Sequence, residues 1–115
     1  MRKIGISPYL NTQPILFPFR SEKIPSPFEL VECLPHDCSL KLLDHIFDAA
    51  LIPSIEIAKG KDDYFLMDSF CIAATQEVLS VELFFKDGLK QIKTVALDAT
   101  SRTSSVLTKI ILEEK

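Results

Sequence analysis

Apolar and polar positions follow two rhythms along this chain, a short alternation and a helical spacing, taken in turn. Lys3-Ile4-Gly5-Ile6-Ser7 is an apolar run halted by Pro8 and predicts a buried first strand. Asn11 and Thr12 then precede Pro14, a cap-then-proline arrangement that opens a helix. Pro18 and Pro25-Ser26-Pro27 are expected to break the pattern and keep that helix short. Phe28 to Leu34 predicts a second strand, with Phe28, Leu30 and Glu32 alternating against Glu29, Val31 and Cys33. Pro35-His36-Asp37 reads as a turn, with Asp37 or Ser39 as N-cap of the next element. Leu40, Leu43 and Phe47, with Leu42 and Ile46 beside them, have helical spacing. Ala49 to Ile52 predicts a third strand, followed by Pro53-Ser54 and a helical turn from Ile55 to Ala58.

Gly60 to Asp63 reads as a charged turn, and Tyr64–Met67, Phe70–Ala74 and Val78–Phe85 as further strands. Asp87-Gly88 marks a turn, Leu89 to Ile92 a helical turn, and Thr94 to Leu97 another strand. That strand feeds Thr100-Ser101-Arg102-Thr103-Ser104 and a helix through Val106, Leu107, Ile110 and Ile111. Strands alternating with helices imply βαβ units, hence an α/β fold with a largely parallel sheet. The last helix runs into Glu113-Glu114-Lys115 without a Gly, Asn or Pro to stop it, and reads as cut rather than finished.

Composition changes this picture in three ways. At 47% hydrophobic and 25% charged residues, the composition disfavours disorder. A length of 115 residues allows one domain at most. Thirteen Lys plus Arg against 16 Asp plus Glu leave a net charge of −3. That balance supplies no basic stripe for nucleic acid and no polybasic patch for a membrane. The uncharged run from Ile4 to Phe19 is broken by Pro8, Asn11, Gln13, Pro14 and Pro18, so it is neither signal peptide nor membrane span. Cys33, Cys38 and Cys71 are too few for a disulfide framework and read as buried, reduced thiols, so a cytoplasmic location is expected.

The candidate chemistry is concentrated in a few places. Thr100 to Ser104 lie between a strand and a helix, where free N–H groups, hydroxyls and a guanidinium suit a carboxylate or phosphate. The same residues also read as a hydroxyl-rich cap with a solvated Arg102. Asn11 follows the first strand, where open α/β sheets place ligands, and serves either as cap or as an amide offered to a ligand. Cys33, His36 and Cys38 form a single C-x2-H-x-C cluster, short of a paired zinc motif, so no metal is expected and strand-end packing is favoured. Spacing leaves a Cys/His nucleophile pair open, although nothing local activates a thiolate. His45 reads as a surface or rim residue, and Asp62-Asp63 and Glu113-Glu114 as solvated charges.

Three segments together resemble one family: Ser7-Pro8-Tyr9-Leu10-Asn11-Thr12-Gln13-Pro14, Asp48-Ala49-Ala50-Leu51-Ile52-Pro53-Ser54-Ile55-Glu56 and Leu97-Asp98-Ala99-Thr100-Ser101-Arg102-Thr103-Ser104. The chain is similar to the chorismate dehydratases of the futalosine route to menaquinone, and Ser80 fits that family's strand serine. The resemblance covers essentially the whole chain. It implies a periplasmic-binding-protein-like type 2 fold, with residues 1–93 in lobe 1, 94–115 opening lobe 2, and ligand held between lobes. It implies a dehydratase that needs no metal or organic cofactor and takes chorismate, a dicarboxylate. Asn11 and Ser80 would line the reacting ring, and Thr103 with Ser104 would hold a substrate carboxylate. Ser101 and Arg102 belong to the same matched block, and Ser54 is a further substrate-binding candidate. Members of that family are much longer, so this chain alone is expected to turn over weakly or not at all. A later enzyme of the same route and fold, a non-enzymatic solute-binding protein, and a degenerate fragment are the competing readings. Product analysis with chorismate separates the first two from the favoured one, and the DNA beyond Lys115 tests the third. Oligomeric state leaves no mark in the sequence.

Overall fold

Arg2–Ile6 (β1) forms the middle of a three-stranded parallel sheet in the order β2-β1-β3, with Phe28–Glu32 as β2 and Ala49–Ala50 as β3. In register, Arg2 lies opposite Phe28, Ile6 opposite Glu32, and Gly5 opposite Ala50. The ladder continues past both edges, because Cys33 N–H donates to Ile6 O at 2.9 Å and Leu51 N–H to Gly5 O at 2.9 Å. A middle strand flanked on both sides explains why Gly5 and Ile6 are buried while Arg2 and Lys3 at its start are exposed.

The structure is a computed structural model and describes residues 1–59 and 64–113. The charged turn expected at Gly60–Asp63, and Glu114 with Lys115, lie outside the described residues. Contacts divide the chain into two units, Met1–Ile72 and Ala73–Lys115.

In the first unit, a 3-10 turn at Leu10–Thr12 leads into Gln13–Arg20 (α1), with Pro14 in its first turn. Pro18 lies inside α1 and does not end it, contrary to the sequence expectation. Its missing N–H forfeits one bond, and the helix carries on until Ser21 N–H closes on Phe17 O at 2.9 Å. Arg20 pairs with Glu32, tying α1 to β2. Pro35–Leu43 (α2) starts three residues earlier than a cap at Asp37 would place it, and five earlier than one at Ser39. Pro35 takes the first helical position, where its fixed φ suits the helix and its absent N–H is not needed. Leu34 is the N-cap, and Asp37 faces the positive end of the dipole from within the first turn.

The chain leaves α2 sooner than the helical spacing implied, so Ile46 and Phe47 are outside it. His45 takes φ +55°, while His45 N–H bonds Leu42 O and Ile46 N–H bonds Lys41 O. This is a left-handed helix stop with histidine in glycine's usual place. Turned this way, the chain lays Phe47, 4% exposed, over Gly5. A Cβ on Gly5 would stand 2.5 Å from Phe47 Cε2 and 3.2 Å from Ala50 Cβ, so only glycine fits beneath the ring. Ile55–Ala58 (α3) follows β3 and buries Glu56, whose carboxylate lies 3.4 Å from Lys59 Nζ.

The second unit carries a 3-10 turn at Leu89–Gln91 and one long helix, Arg102–Glu113 (α4). The strands expected at Tyr64–Met67, Phe70–Ala74, Val78–Phe85 and Thr94–Leu97 do not form among the described residues. Alternation prepares a segment for a sheet, but a strand exists only once a neighbour completes its ladder. Phe65, Leu66, Met67, Phe70, Leu79 and Phe84 accordingly lie open to solvent.

Candidate functional site

The first unit places its polar candidates at the carboxyl edge of the sheet. In the order β2-β1-β3, the connection from β1 runs to one side and the strand on the other side arrives from β2. The crevice outside the carboxyl ends of β1 and β3 is therefore the topological switch point, where open α/β sheets take their ligands. Asn11 sits on the 3-10 turn after β1 and Ser54 just before α3 after β3, both exposed. Asn11 caps neither helix: Tyr9 and Thr12 hold the cap positions, and neither cap uses a side chain. Ser54 likewise makes no cap hydrogen bond.

The loop that carries Asn11 is shaped by its neighbour. Thr12, 0% exposed, aims its hydroxyl at Ser7 O (2.7 Å) and Tyr9 O (2.6 Å), while Thr12 N–H donates to Tyr9 O at 3.1 Å. One buried threonine thus satisfies the carbonyls that a tight exit from β1 would leave bare.

The second unit gathers Ser101, Thr103 and Ser104 with Val78, Val81 and Leu107 around an open groove of about 520 Å³. The three hydroxyl residues stand at the start of α4, whose unpaired N–H groups and dipole favour a negative group. Ser101 and Ser104 hydroxyls are bonded at 2.7 Å, Ser105 Oγ donates to Ser101 O at 2.9 Å, and Thr108 Oγ1 donates to Ser104 O at 2.8 Å. Arg102 is half-buried and engaged, not the solvated arginine of the cap reading. Val81 N–H closes a turn on Val78 O at 3.1 Å, and this turn carries Ser80. Ser80 is exposed on a turn, not on the strand its alternating neighbours implied.

Asp98 organises the turn that leads into α4, where Ser101 N–H also closes on its carbonyl at 3.2 Å. Its Oδ1 accepts the Thr100 hydroxyl at 2.7 Å and the Thr100 N–H at 2.8 Å. These two bonds, the hydroxyl's first, hold its carboxyl below the usual aspartate range. A depressed folded-state pKa means that the bonds contribute above the unfolded value of about 3.9 and are lost as pH falls through the folded one. In an NMR titration, the Asp98 carboxyl should show its midpoint below those of unperturbed aspartates. Amide exchange at Thr100 should quicken only at the acid end of the titration.

Of the three cysteines, Cys38 is buried, Cys33 half-buried and Cys71 exposed, all free, so Cys71 departs from the expected buried thiol. Among the described residues, no three His, Cys, Asp or Glu side chains are placed to hold a metal ion. Nor is any helix there long and apolar enough to cross a membrane.

A family profile described as menaquinone biosynthesis matches residues 2–115. The chain belongs to the menaquinone biosynthesis family. Among curated relatives, chorismate dehydratase of Thermus thermophilus is 31% identical over 111 residues, or 96% of this chain. The chain spans 40% of the length of that relative. No solved structure matches it.

Within this member of the menaquinone biosynthesis family, Ser101, Thr103 and Ser104 share one groove, while Asn11 and Ser54 share the sheet edge of the other unit. The apolar wall of Val78, Val81 and Leu107 is not legible as a site, because Val78 and Val81 read as strand positions and Leu107 as helix core. Asp98 does not stand out either, although an aspartate two residues before a threonine is the signature of a side-chain-closed turn.

Proposed function

We propose that this chain carries the chorismate-handling residues of a dehydratase that converts chorismate to 3-(1-carboxyvinyloxy)benzoate and water. The reading rests on the groove at the start of α4. Hydroxyls and a helix N-terminus at one end, with valine and leucine along the wall, suit an apolar ring bearing a carboxylate. The identity to a chorismate dehydratase over nearly the whole chain supports the same assignment. The whole protein would adopt the periplasmic-binding-protein-like type 2 fold in the cytoplasm, with residues 1–93 assigned to lobe 1 and 94 onward to lobe 2. The parallel β2-β1-β3 order is compatible with that fold.

In this reading, Thr103 and Ser104, with Ser101 bonded to the Ser104 hydroxyl, hold a substrate carboxylate. The ring proton that departs is vinylogous to the ring carboxylate, so hydrogen bonds to that carboxylate stabilise the charge developing as it leaves. The residues assigned to the site include no His, Glu or Asp placed as a base, and the substrate's own enolpyruvyl carboxylate takes the proton. Asn11 and Ser80 orient the reacting ring. Loss of the hydroxyl as water leaves an aromatic ring, which drives the step forward. No metal or organic cofactor enters the reaction.

The test fuses this chain to the part of the Thermus relative that it does not span and follows chorismate by chromatography. The expected product is the carboxyvinyloxybenzoate, with turnover falling about 10²–10³-fold in Asn11→Ala or Ser80→Ala. A fusion that melts cooperatively yet leaves chorismate unchanged overturns the proposal. The 115-residue chain alone should turn over weakly or not at all.

A further inference from the structure

We propose that Glu56 is a positioning residue, whose buried carboxylate fixes the turn that presents Ser54 to substrate at the carboxyl edge of the sheet. The role of Ser54 in it rests on the function proposed above. Ser54 lies on the short connection between β3 and α3. At one end, Leu51 N–H donates to Gly5 O at 2.9 Å and keeps the chain in the sheet ladder. At the other, Glu56 N–H closes on Pro53 O at 3.0 Å, and Ile57 N–H on Ser54 O at 3.1 Å. Glu56 therefore ends the turn in which Ser54 stands. Ser54 is exposed and makes no cap hydrogen bond, whereas Glu56, two residues on, is 2% exposed. The helix that follows has only four residues, too few to keep its shape without an outside hold.

Among the described residues, Glu56 is the one charged side chain that is buried. Its carboxylate lies 3.4 Å from Lys59 Nζ. An apolar side chain of that size would fill the same space without giving up the hydration of a charge. Packing alone therefore does not call for a glutamate here. A carboxylate adds what packing lacks, bonds with a fixed direction, and so sets the orientation of the turn as well as its burial. The same pairing recurs across the crevice, where exposed Asn11 stands directly before Thr12, whose buried hydroxyl shapes its loop.

The experiment compares Glu56→Met, Glu56→Gln and Ser54→Ala in two settings. In the chain itself, Glu56→Met should still melt cooperatively. Amide exchange at positions 56 and 57 should nevertheless quicken about tenfold, while Gly5 and Ile6 keep their rates. Glu56→Gln, which keeps shape and hydrogen bonding, should recover most of that protection. In the fusion with the Thermus relative, Glu56→Met should raise KM for chorismate about three- to tenfold, with kcat within about twofold. On a Ser54→Ala background the same change should raise KM no further, because the residue it acts through is gone. A merely structural role would lower the active fraction, hence kcat, and leave KM alone. Should Glu56→Met not fold, Glu56→Asp, whose carboxylate stops one methylene short, takes its place with the same expectations. Three outcomes overturn the proposal: unchanged exchange at positions 56 and 57, a KM rise equal with and without Ser54, or a loss confined to kcat. An unsubstituted fusion that leaves chorismate unchanged overturns the function above instead, and the exchange rates alone then decide the role of Glu56.

Discussion

Replacing Phe47 by alanine is expected to cost about 3–5 kcal/mol of stability, the range found for buried phenylalanines. Against a typical domain stability of about 5–15 kcal/mol, that is enough to leave much of the chain unfolded. The ring lies between the end of α2 and the middle strand, capping Gly5 directly. Gly5→Ala is expected to cost about 1–3 kcal/mol by overpacking, since the added methyl must push the ring or Ala50 aside. The two substitutions should not add. Once Phe47 is alanine, the methyl at position 5 enters space that the ring has vacated, and the double variant should be no less stable than Phe47→Ala. Urea unfolding followed by far-ultraviolet circular dichroism measures all four corners of the cycle. Strict additivity would mean that the ring does not determine the glycine.

Thr12→Val should be the next most damaging change, at about 1–3 kcal/mol. The swap keeps the shape but leaves the Ser7 carbonyl facing a methyl, with the valine as tightly enclosed as the threonine was. Thr12→Ser should recover most of the loss, because the hydroxyl and its two acceptors remain. A stability difference of under about half a kcal/mol for Thr12→Val would show that the hydroxyl contributes little to the loop. In the fusion with the Thermus relative, Thr12→Val should also lower turnover, because the same loop presents Asn11.

What can be read from the residues alone follows how local each cause is. β1, β2 and α4 are legible because their own apolar spacing selects them. Pro35 reads as a turn but begins α2, because the same ring that breaks a helix interior also suits a helix start. The Gly5–Phe47 contact is invisible in sequence, since it depends on a backbone reversal at His45 that histidine does not announce. Ser101, Thr103 and Ser104 are legible as one cluster because a single helix start displays them. Asn11 is half legible: its place after β1 is clear, but the buried hydroxyl beside it, not its own amide, organises the turn. Ser80 keeps its neighbours and loses its strand, because no ladder partner stands beside Val78–Phe85 among the described residues.

The open stretch from Phe65 to Phe85 also sets the terms on which this chain persists in a crowded solution. Val78 to Phe85 is rich in β-forming side chains and holds one acidic residue, Glu82, with Glu77 and Lys86 as its flanking charges. Side chains of that kind, laid bare, attract the same stretch on a neighbouring molecule, and chaperones and proteases recognise the same feature. Glu77, Glu82 and Lys86 are the charges in and beside that stretch, and like charges brought together by stacking copies oppose such pairing. How long the chain lasts before it is cleared depends on how soon these phenylalanines and leucines find cover.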